Sequence, residues 1–494
     1  MQNLNESLQA KYPHLELAIL PLSQVKKGNE AFRIDSEPFK KSNLSLNSNI
    51  EYIKLSQIAT INPSKTEIQK YDENLEVTFL SMQNLGNGFV NERDKGAIKY
   101  FKGGYTYFAE NDILIAKITP CMEHGKCAIA TNLTNKIGFG STEFNVFRVK
   151  DSRFLQEFIF CYLNRDNIRK IAADNMVGTS GRQRVPTAFY ENLPIPLFPK
   201  PFQLEIEKLV KQSHEALEDS KRLYKEAQEL LYKELELDFK NPLKSLLKSS
   251  LQAKKPSELA IINDISKKYP HLNISVRPLS KSLYKSGRLD SEYYQSKYDL
   301  METKIKSFSH KKLGELVSIQ KSIEPGSEAY QDEGIEFVRV ANLGKFGLSK
   351  SDIYLNEQDF SKELKKLAPK KETILLSKDG SIGISYCLEE DLECITSGAI
   401  LHLKVKDKRE ILPQVLSLIL NSIVAKLQAE RDAGGSIIAH WKISEIEKVL
   451  IPLFDFKLQE QIALKIQKSF TLRAKSKDLL QNAKMRLENA IENG

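Results

Sequence analysis

Cysteine is scarce here, five in 494 residues and an odd number. A disulfide framework needs many evenly counted cysteines in a short chain, so none is expected, and Cys121 with Cys127 or Cys387 with Cys394 lack zinc-ribbon spacing. They read as small core thiols. No uninterrupted apolar run is long enough to cross a bilayer, and the opening "MQNLNESLQAKYPHLE" has neither a basic start nor an apolar stretch, which makes the cytoplasm the expected location. Catalytic signatures are missing as well. There is no G-x-x-x-x-G-K-[ST] phosphate cradle, no H-E-x-x-H, no G-x-S-x-G elbow and no G-x-G-x-x-G after a strand. Nor is there the D/N-P-P-Y/F motif with which adenine methyltransferases hold a base; "INPSK" and "KNPLK" do not match it. "KIGFGST" lacks the third glycine and following helix of a nucleotide loop and reads as a turn. Seven histidines are scattered without partner spacing, so His124, His402 and His440 read as polar contacts rather than ligands or bases. These absences point to a binding protein.

What is present is a duplication. "IPLF" stands at Ile195 and again at Ile451, an interval of 256 residues that also relates Gln203 to Gln459, Ser213 to Ser469, Ser220 to Ser476 and Leu231 to Leu487. "YPHL" recurs at Tyr12 and Tyr269, "PLS" at Pro21 and Pro278, "RIDSE" at Arg33 faces "RLDSE" at Arg288, and "NLG" recurs at Asn84 and Asn342. The period is far too long for a solenoid. Composition is that of a large protein with real cores, 41% hydrophobic and 28% charged, and the formal charge of +9 is a mild attraction for polyanions.

Each half carries short runs of branched and aromatic residues between turn formers: "VTFLSMQNLGNG" (77–88), "DILIAKITP" (112–120) and "STEFNVFRV" (141–149), then "IEFVRVANLG" (335–344), "ETILLSKDGSIGISYCL" (372–388) and "AILHLKV" (399–405). These predict strands and turns. A helical pattern follows each set, over 152–173 and 412–430. The expected fold class is therefore α+β, two similar globules separated by a pair of long helices. A heptad seam runs through Ile206, Val210, Ser213, Leu217, Ser220, Tyr224, Ala227 and Leu231, and a second through Ile462, Ile466, Ser469, Arg473, Ser476, Leu480, Ala483 and Leu487. Its small residues suit two antiparallel helices packed closely as a spacer; the alternative is that each helix covers its own globule. The boundaries that follow are an N-terminal segment 1–49, a first globule 50–200, a central helix 201–238, a linker and second N-terminal segment 239–309, a second globule 310–455 and a C-terminal helix 456–494. Within the join, "KNPLKSLLKSSLQAKKPSE" (240–258) reads as a loose connection.

With these parts in place the sequence resembles the specificity (S) subunit of type I restriction-modification systems. The resemblance rests on "ILLSKDGSIG" at 374–383, on "AGGSIIAHWKISEIEKVLIPLFDFKLQEQIALKI" at 433–466 and on "RLDSEYYQSKY" at 288–298. The first half matches more loosely: "VGTSGRQRVPTAFYENLPIPLF" keeps the shape, while "LIAKITPCMEHGKCAIA" has a Pro-containing turn in place of S-K-D-G-S-I-G. The resemblance implies two target-recognition domains in an internal pseudo-two-fold duplication, reading a bipartite, asymmetric site on double-stranded DNA. It implies no catalysis and no cofactor on this chain. Two modification subunits would carry S-adenosylmethionine and methylate adenine, and restriction (translocase) subunits would join them in phage defence. A helix of about 35 residues is roughly 50 Å long, against about 34 Å per DNA turn, the right scale for two half-sites. The alternatives are the specificity subunit of a related methyltransferase-nuclease system, a stand-alone nuclease with a dispersed carboxylate-lysine site, and a coiled-coil protein unrelated to DNA.

Base reading needs forked or bidentate groups on exposed loops. "GTSGRQRVP" places Arg182, Gln183 and Arg184 in such a loop, and Ser436, His440, Trp441 and Lys442 take the matching position in the second half beside Gly434 and Gly435. The turn of Lys378, Asp379, Gly380 and Ser381 is a candidate for the phosphate backbone, and Lys117, His124 and Lys126 are further candidates. Trp441, the single tryptophan, suits either the core or base stacking. Ile206, Val210, Leu217, Leu231, Ile462, Ile466, Leu480 and Leu487 are the candidates for helix pairing, and no metal ligands are expected.

Overall fold

The computed structural model describes residues 47–179, 181–250, 287–433 and 439–493, together with 2–15, 19–26, 279–282 and a few isolated positions. Gly434, Gly435, Ser436, Arg33, Pro278 and the 251–258 part of the join lie outside the described residues. The chain divides into two compact units, Met1–Glu218 with Arg473–Gly494, and Asp219–Leu472. Among the described residues no helix is long and apolar enough to cross a membrane.

Unit one is built on two four-stranded sheets. The first runs Ala59–Ile61, Phe144–Val149, Ile113–Ala116, Cys127–Ile129, all antiparallel. The second runs Asp94–Ala97, Glu76–Leu80, Ile137–Gly140, Thr106–Ala109, with its central pair parallel. Ile137–Gly140 corrects the reading of "KIGFGST" as a turn. A Cβ on Gly138 would sit 2.1 Å from the Phe108 ring, and one on Gly140 2.7 Å from the Leu80 carbonyl oxygen, so these glycines admit close packing within a sheet. The 152–173 pattern is two helices, Gln156–Leu163 and Asp166–Asp174, which close the core over Leu55, Phe147 and Tyr190.

Unit two repeats the plan. Val317–Lys321, Ile400–Val405, Ile374–Ser377 and Ser385–Cys387 form one antiparallel sheet, and Tyr330–Gln331, Tyr354–Leu355, Ile335–Val338 and Cys394–Thr396 the other, again with one parallel pair. Pro413–Leu420 and Ile423–Asp432 supply the helices. The join is not uniformly loose. Pro242–Ser250 is a helix, and Leu246 is buried in the same cluster as Met301 and Ile305, because a leucine every three or four residues gives this Lys-rich stretch an apolar face.

The "IPLF" repeat has the same use in both units. Ile195 pairs with Ile53, and Ile451 with Lys311, in two-stranded ribbons that close each globule. Directly after each ribbon a long helix begins, Lys200–Glu234 and Phe456–Asn493. A fully buried glutamine fastens each start. Gln203 accepts the Leu155 amide at 2.8 Å and donates to the carbonyls of Arg153 (3.0 Å) and Phe198 (2.8 Å). Gln459 does the same with the Leu412 amide and the carbonyls of Glu410 and Phe454, each at 3.0 Å. An amide side chain can satisfy a donor and two acceptors at once, and thereby ties a helix start to the loop before another helix.

Parts of both long helices belong to each unit. In unit one Ile206 and Val210 share a core cluster with Leu480, Ala483 and Leu487, and Leu217 is buried. Ser213 donates to the Ser476 carbonyl at 2.7 Å, and Glu205 pairs with Arg486 at 3.3 Å, so the segments run antiparallel. In unit two Leu231 shares a cluster with Ile462 and Ile466, Ser469 donates to the Ser220 carbonyl at 2.7 Å, and Lys465 pairs with Glu226. Serine has the small volume that close helices need, and its hydroxyl is satisfied, which avoids the cost of about 1 to 3 kcal/mol for an unpaired buried group. The same seam residues also pack on the globules, so helix pairing and globule covering occur together.

Candidate nucleic-acid interface

A ladder of three backbone bonds assembles the candidate loops of unit one. The Lys117 amide donates to the Glu143 carbonyl (2.9 Å), the Val185 amide to the Lys117 carbonyl (2.9 Å), and the Thr119 amide to the Gln183 carbonyl (3.0 Å). Val177 and Arg184 close the intervening loop by exchanging both backbone bonds at 2.9 Å, with Gly178 and Gly181 at positive φ in the turn. Lys117, Arg182, Gln183 and Arg184 are thus brought together from two sequence regions.

Unit two builds the same ladder. The Lys378 amide donates to the Ala399 carbonyl (2.9 Å), the Trp441 amide to the Lys378 carbonyl (2.8 Å), and the Gly380 amide to the Ala439 carbonyl (2.9 Å). The turn beside it is held by the Ser377 hydroxyl, which donates to the Ser381 carbonyl at 2.6 Å and accepts the Ile384 amide at 2.9 Å. Gly380 and Gly383 adopt positive φ there. By ladder position Lys117 corresponds to Lys378, Arg184 to His440, Val185 to Trp441 and Glu143 to Ala399.

The side chains on this common frame differ. In unit one the Arg184 guanidinium makes a forked pair with Glu143, Nε to Oε2 at 2.9 Å and Nη2 to Oε1 at 2.7 Å. That contact holds the Glu143 carboxyl below its usual range. In unit two Ala399 takes the place of the acid, and the turn supplies Asp379 instead, whose Oδ1 lies 2.9 Å from His440 Nδ1. Burial pushes the Asp379 carboxyl up, but hydrogen bonds from Lys378 and His440 outweigh it and the carboxyl is held down. Each unit therefore presents one nitrogen-bearing side chain, the partly exposed Arg184 guanidinium or the exposed His440 imidazole, steadied by one carboxylate. Glu143 is not among the sequence candidates, and Asp379 is one only as a member of its turn; neither acid carries a local signal of a partner 41 or 61 residues away.

Other candidates are placed differently. Trp441 is 1% exposed and packs in the unit two core. The Lys378 ammonium is paired with Asp379 and its side chain is largely buried, so the turn offers Gly380 and Ser381 at its surface. Lys126 is half-buried and its ammonium donates to the Met82 carbonyl at 2.7 Å, a structural contact. His124, Arg182 and Lys442 are exposed, and Gln183 and Lys117 partly so. His402 is buried against Thr396 Oγ1 at 2.8 Å, and burial lowers its pKa to about 4. Burial likewise pushes the thiols of Cys127, Cys161, Cys387 and Cys394 up to about 12; Cys121 is half-buried.

Residues 47–227 and again 305–482 match the family described as Type I restriction modification DNA specificity domain. Over 187 residues, 37% of this chain, it is 36% identical to the type I restriction enzyme EcoEI specificity subunit of Escherichia coli. Over 151 residues, 30% of the chain, it is 38% identical to the EcoAI specificity subunit of the same organism. Those stretches span only 30% and 25% of the relatives' own lengths. A solved type-I restriction-modification system S subunit from M. genitalium is 15% identical, with 90% of this chain and 96% of that one covered, at a TM-score of 0.38.

Proposed function

The chain belongs to the type I restriction-modification DNA specificity family, and on that premise we propose that it reads a bipartite, asymmetric site on double-stranded DNA, one half per globule, and positions other subunits that do the chemistry. The observation that carries this reading is the repeated ladder with exchanged side chains. Lys117, Glu143 and Arg184 in one unit correspond to Lys378, Ala399 and His440 in the other, so one backbone frame displays two different sets of groups. A duplicated frame suits two half-sites, and unequal side chains make the site non-palindromic. The proposed partners are two methyltransferase subunits carrying S-adenosylmethionine, and restriction subunits that translocate and cut.

The test is to sequence the methylomes of cells with and without this gene. Loss of methyladenine at one interrupted, non-palindromic motif is the expected result. An identical methylome in both strains, with the methyltransferase subunit expressed, would count against the proposal, as would robust methylation of DNA by the isolated chain given S-adenosylmethionine.

A further inference from the structure

Unit one has an open cleft of about 320 Å³ beside the ladder, lined by Lys65, Gly103, Gly104, Tyr105, Lys117 and Thr142 among others. Its lining includes two cations and no anion. Of the carboxylates beside its lining residues, Glu143 is paired with Arg184 and also attracts the Lys117 ammonium, and Glu67 is paired with Arg148 at 2.6 Å. Lys65 donates to the Lys102 carbonyl at 2.9 Å, which uses one of the three ammonium donors and anchors it against the Gly103–Gly104 turn. Among the described residues the Lys117 ammonium makes no hydrogen bond, and the amides of Gly103 and Gly104 donate to no backbone carbonyl. Open space surrounds both glycines where a side chain would stand, so a ligand can approach the main chain.

We infer that this cleft seats a backbone phosphate of the DNA duplex, held by Lys65, Lys117 and the Gly103–Gly104 amides, with Tyr105 against the adjoining sugar. Point-charge ammoniums and main-chain amides recognise a phosphate without regard to sequence, whereas base reading calls for a fork such as the Arg184 guanidinium next door, which in this structure holds Glu143. The volume equals on the order of ten water molecules at about 30 Å³ each, room for a phosphodiester with its sugar. The cleft thereby sets the register in which the Arg182–Arg184 loop meets the bases. The inference rests on the DNA-reading proposal and adds the place and chemistry of a contact.

The experiment measures affinity of the full chain for a random-sequence duplex as a function of salt, for wild type, Lys65→Gln, Lys117→Gln, the double variant and Lys117→Arg, each checked for an unchanged thermal midpoint. Each lost phosphate contact lowers the slope of log K against log salt by about 0.9, so between about 50 and 200 mM salt the double variant should lose roughly tenfold less affinity than wild type. Lys117→Arg should keep the wild-type slope. A wild type that binds DNA while both glutamine variants keep its slope overturns the cleft alone; a wild type with no salt-sensitive binding overturns the DNA reading itself. Variants that lose a thermal shift induced by inorganic phosphate but retain the duplex slope would overturn the assignment to DNA.

Discussion

Gln203→Met is the sharpest perturbation of the duplicated architecture. It keeps the length of the side chain and deletes three hydrogen bonds: those with the Leu155 amide and with the Arg153 and Phe198 carbonyls. At about 0.5 to 1.5 kcal/mol net for each bond, the loss is about 1.5 to 4.5 kcal/mol. Arg153 is exposed, so its carbonyl can turn to water, which places the expectation toward the lower end. A loss of that size lowers the midpoint of a unit of this size by about 5 to 15 °C. Thermal unfolding gives the total, and hydrogen exchange gives the place. Protection should fall around 153–160 and at the start of the first long helix, while 410–416, fastened by Gln459, keeps its protection. Gln459→Met should produce the mirror result. A loss under about 0.5 kcal/mol, or equal deprotection of both segments by either variant, would refute the view that each glutamine fastens its own helix start.

Ser213→Leu, at a position 2% exposed, should overpack the helix seam and cost about 1 to 3 kcal/mol by chemical denaturation, with Ser213→Ala costing about 1 kcal/mol for the lost bond to Ser476. Arg184→Ala should relax one half of the methylated motif by about 1 to 3 kcal/mol and leave the other half strict, read from duplexes varied one base at a time; an equal loss on all sequences would mark Arg184 as a phosphate contact. His402 has a folded pKa of about 4 against an ordinary 6.5, so the unfolded chain binds the proton first and stability falls as pH drops through that window, by at most about 3 kcal/mol. His402→Gln should show a smaller difference between unfolding at pH near 7 and near 4.5 than wild type; an unchanged difference would refute the burial argument.

The duplication, the heptad seams and the strand-rich globules were legible because each is written in local order. A constant interval of 256 residues survives whatever the tertiary fold does, and the three-four spacing of Ile206, Val210 and Ser213 is a property of one helix. The ladder was legible only as two suspicious loops. That Lys117 lies between Glu143 and Val185, and Lys378 between Ala399 and Trp441, depends on backbone segments pairing across 21 to 68 residues, and nothing in either loop names its partner. The same ignorance of neighbours explains the errors. Glycines in Ile137–Gly140 signal a turn when read alone, but in the sheet they make room for Phe108 and Phe144. Leucines in Pro242–Ser250 were outweighed by their lysines until a core at Met301 and Ile305 was there to receive them. Trp441 has the chemistry for either stacking or packing, and only the burial of its surroundings decides which. Periodicity along the chain therefore settled which elements exist and that they occur twice, while contacts between elements distant in sequence decided which charged groups meet, which are neutralised by a partner, and which remain open to a ligand.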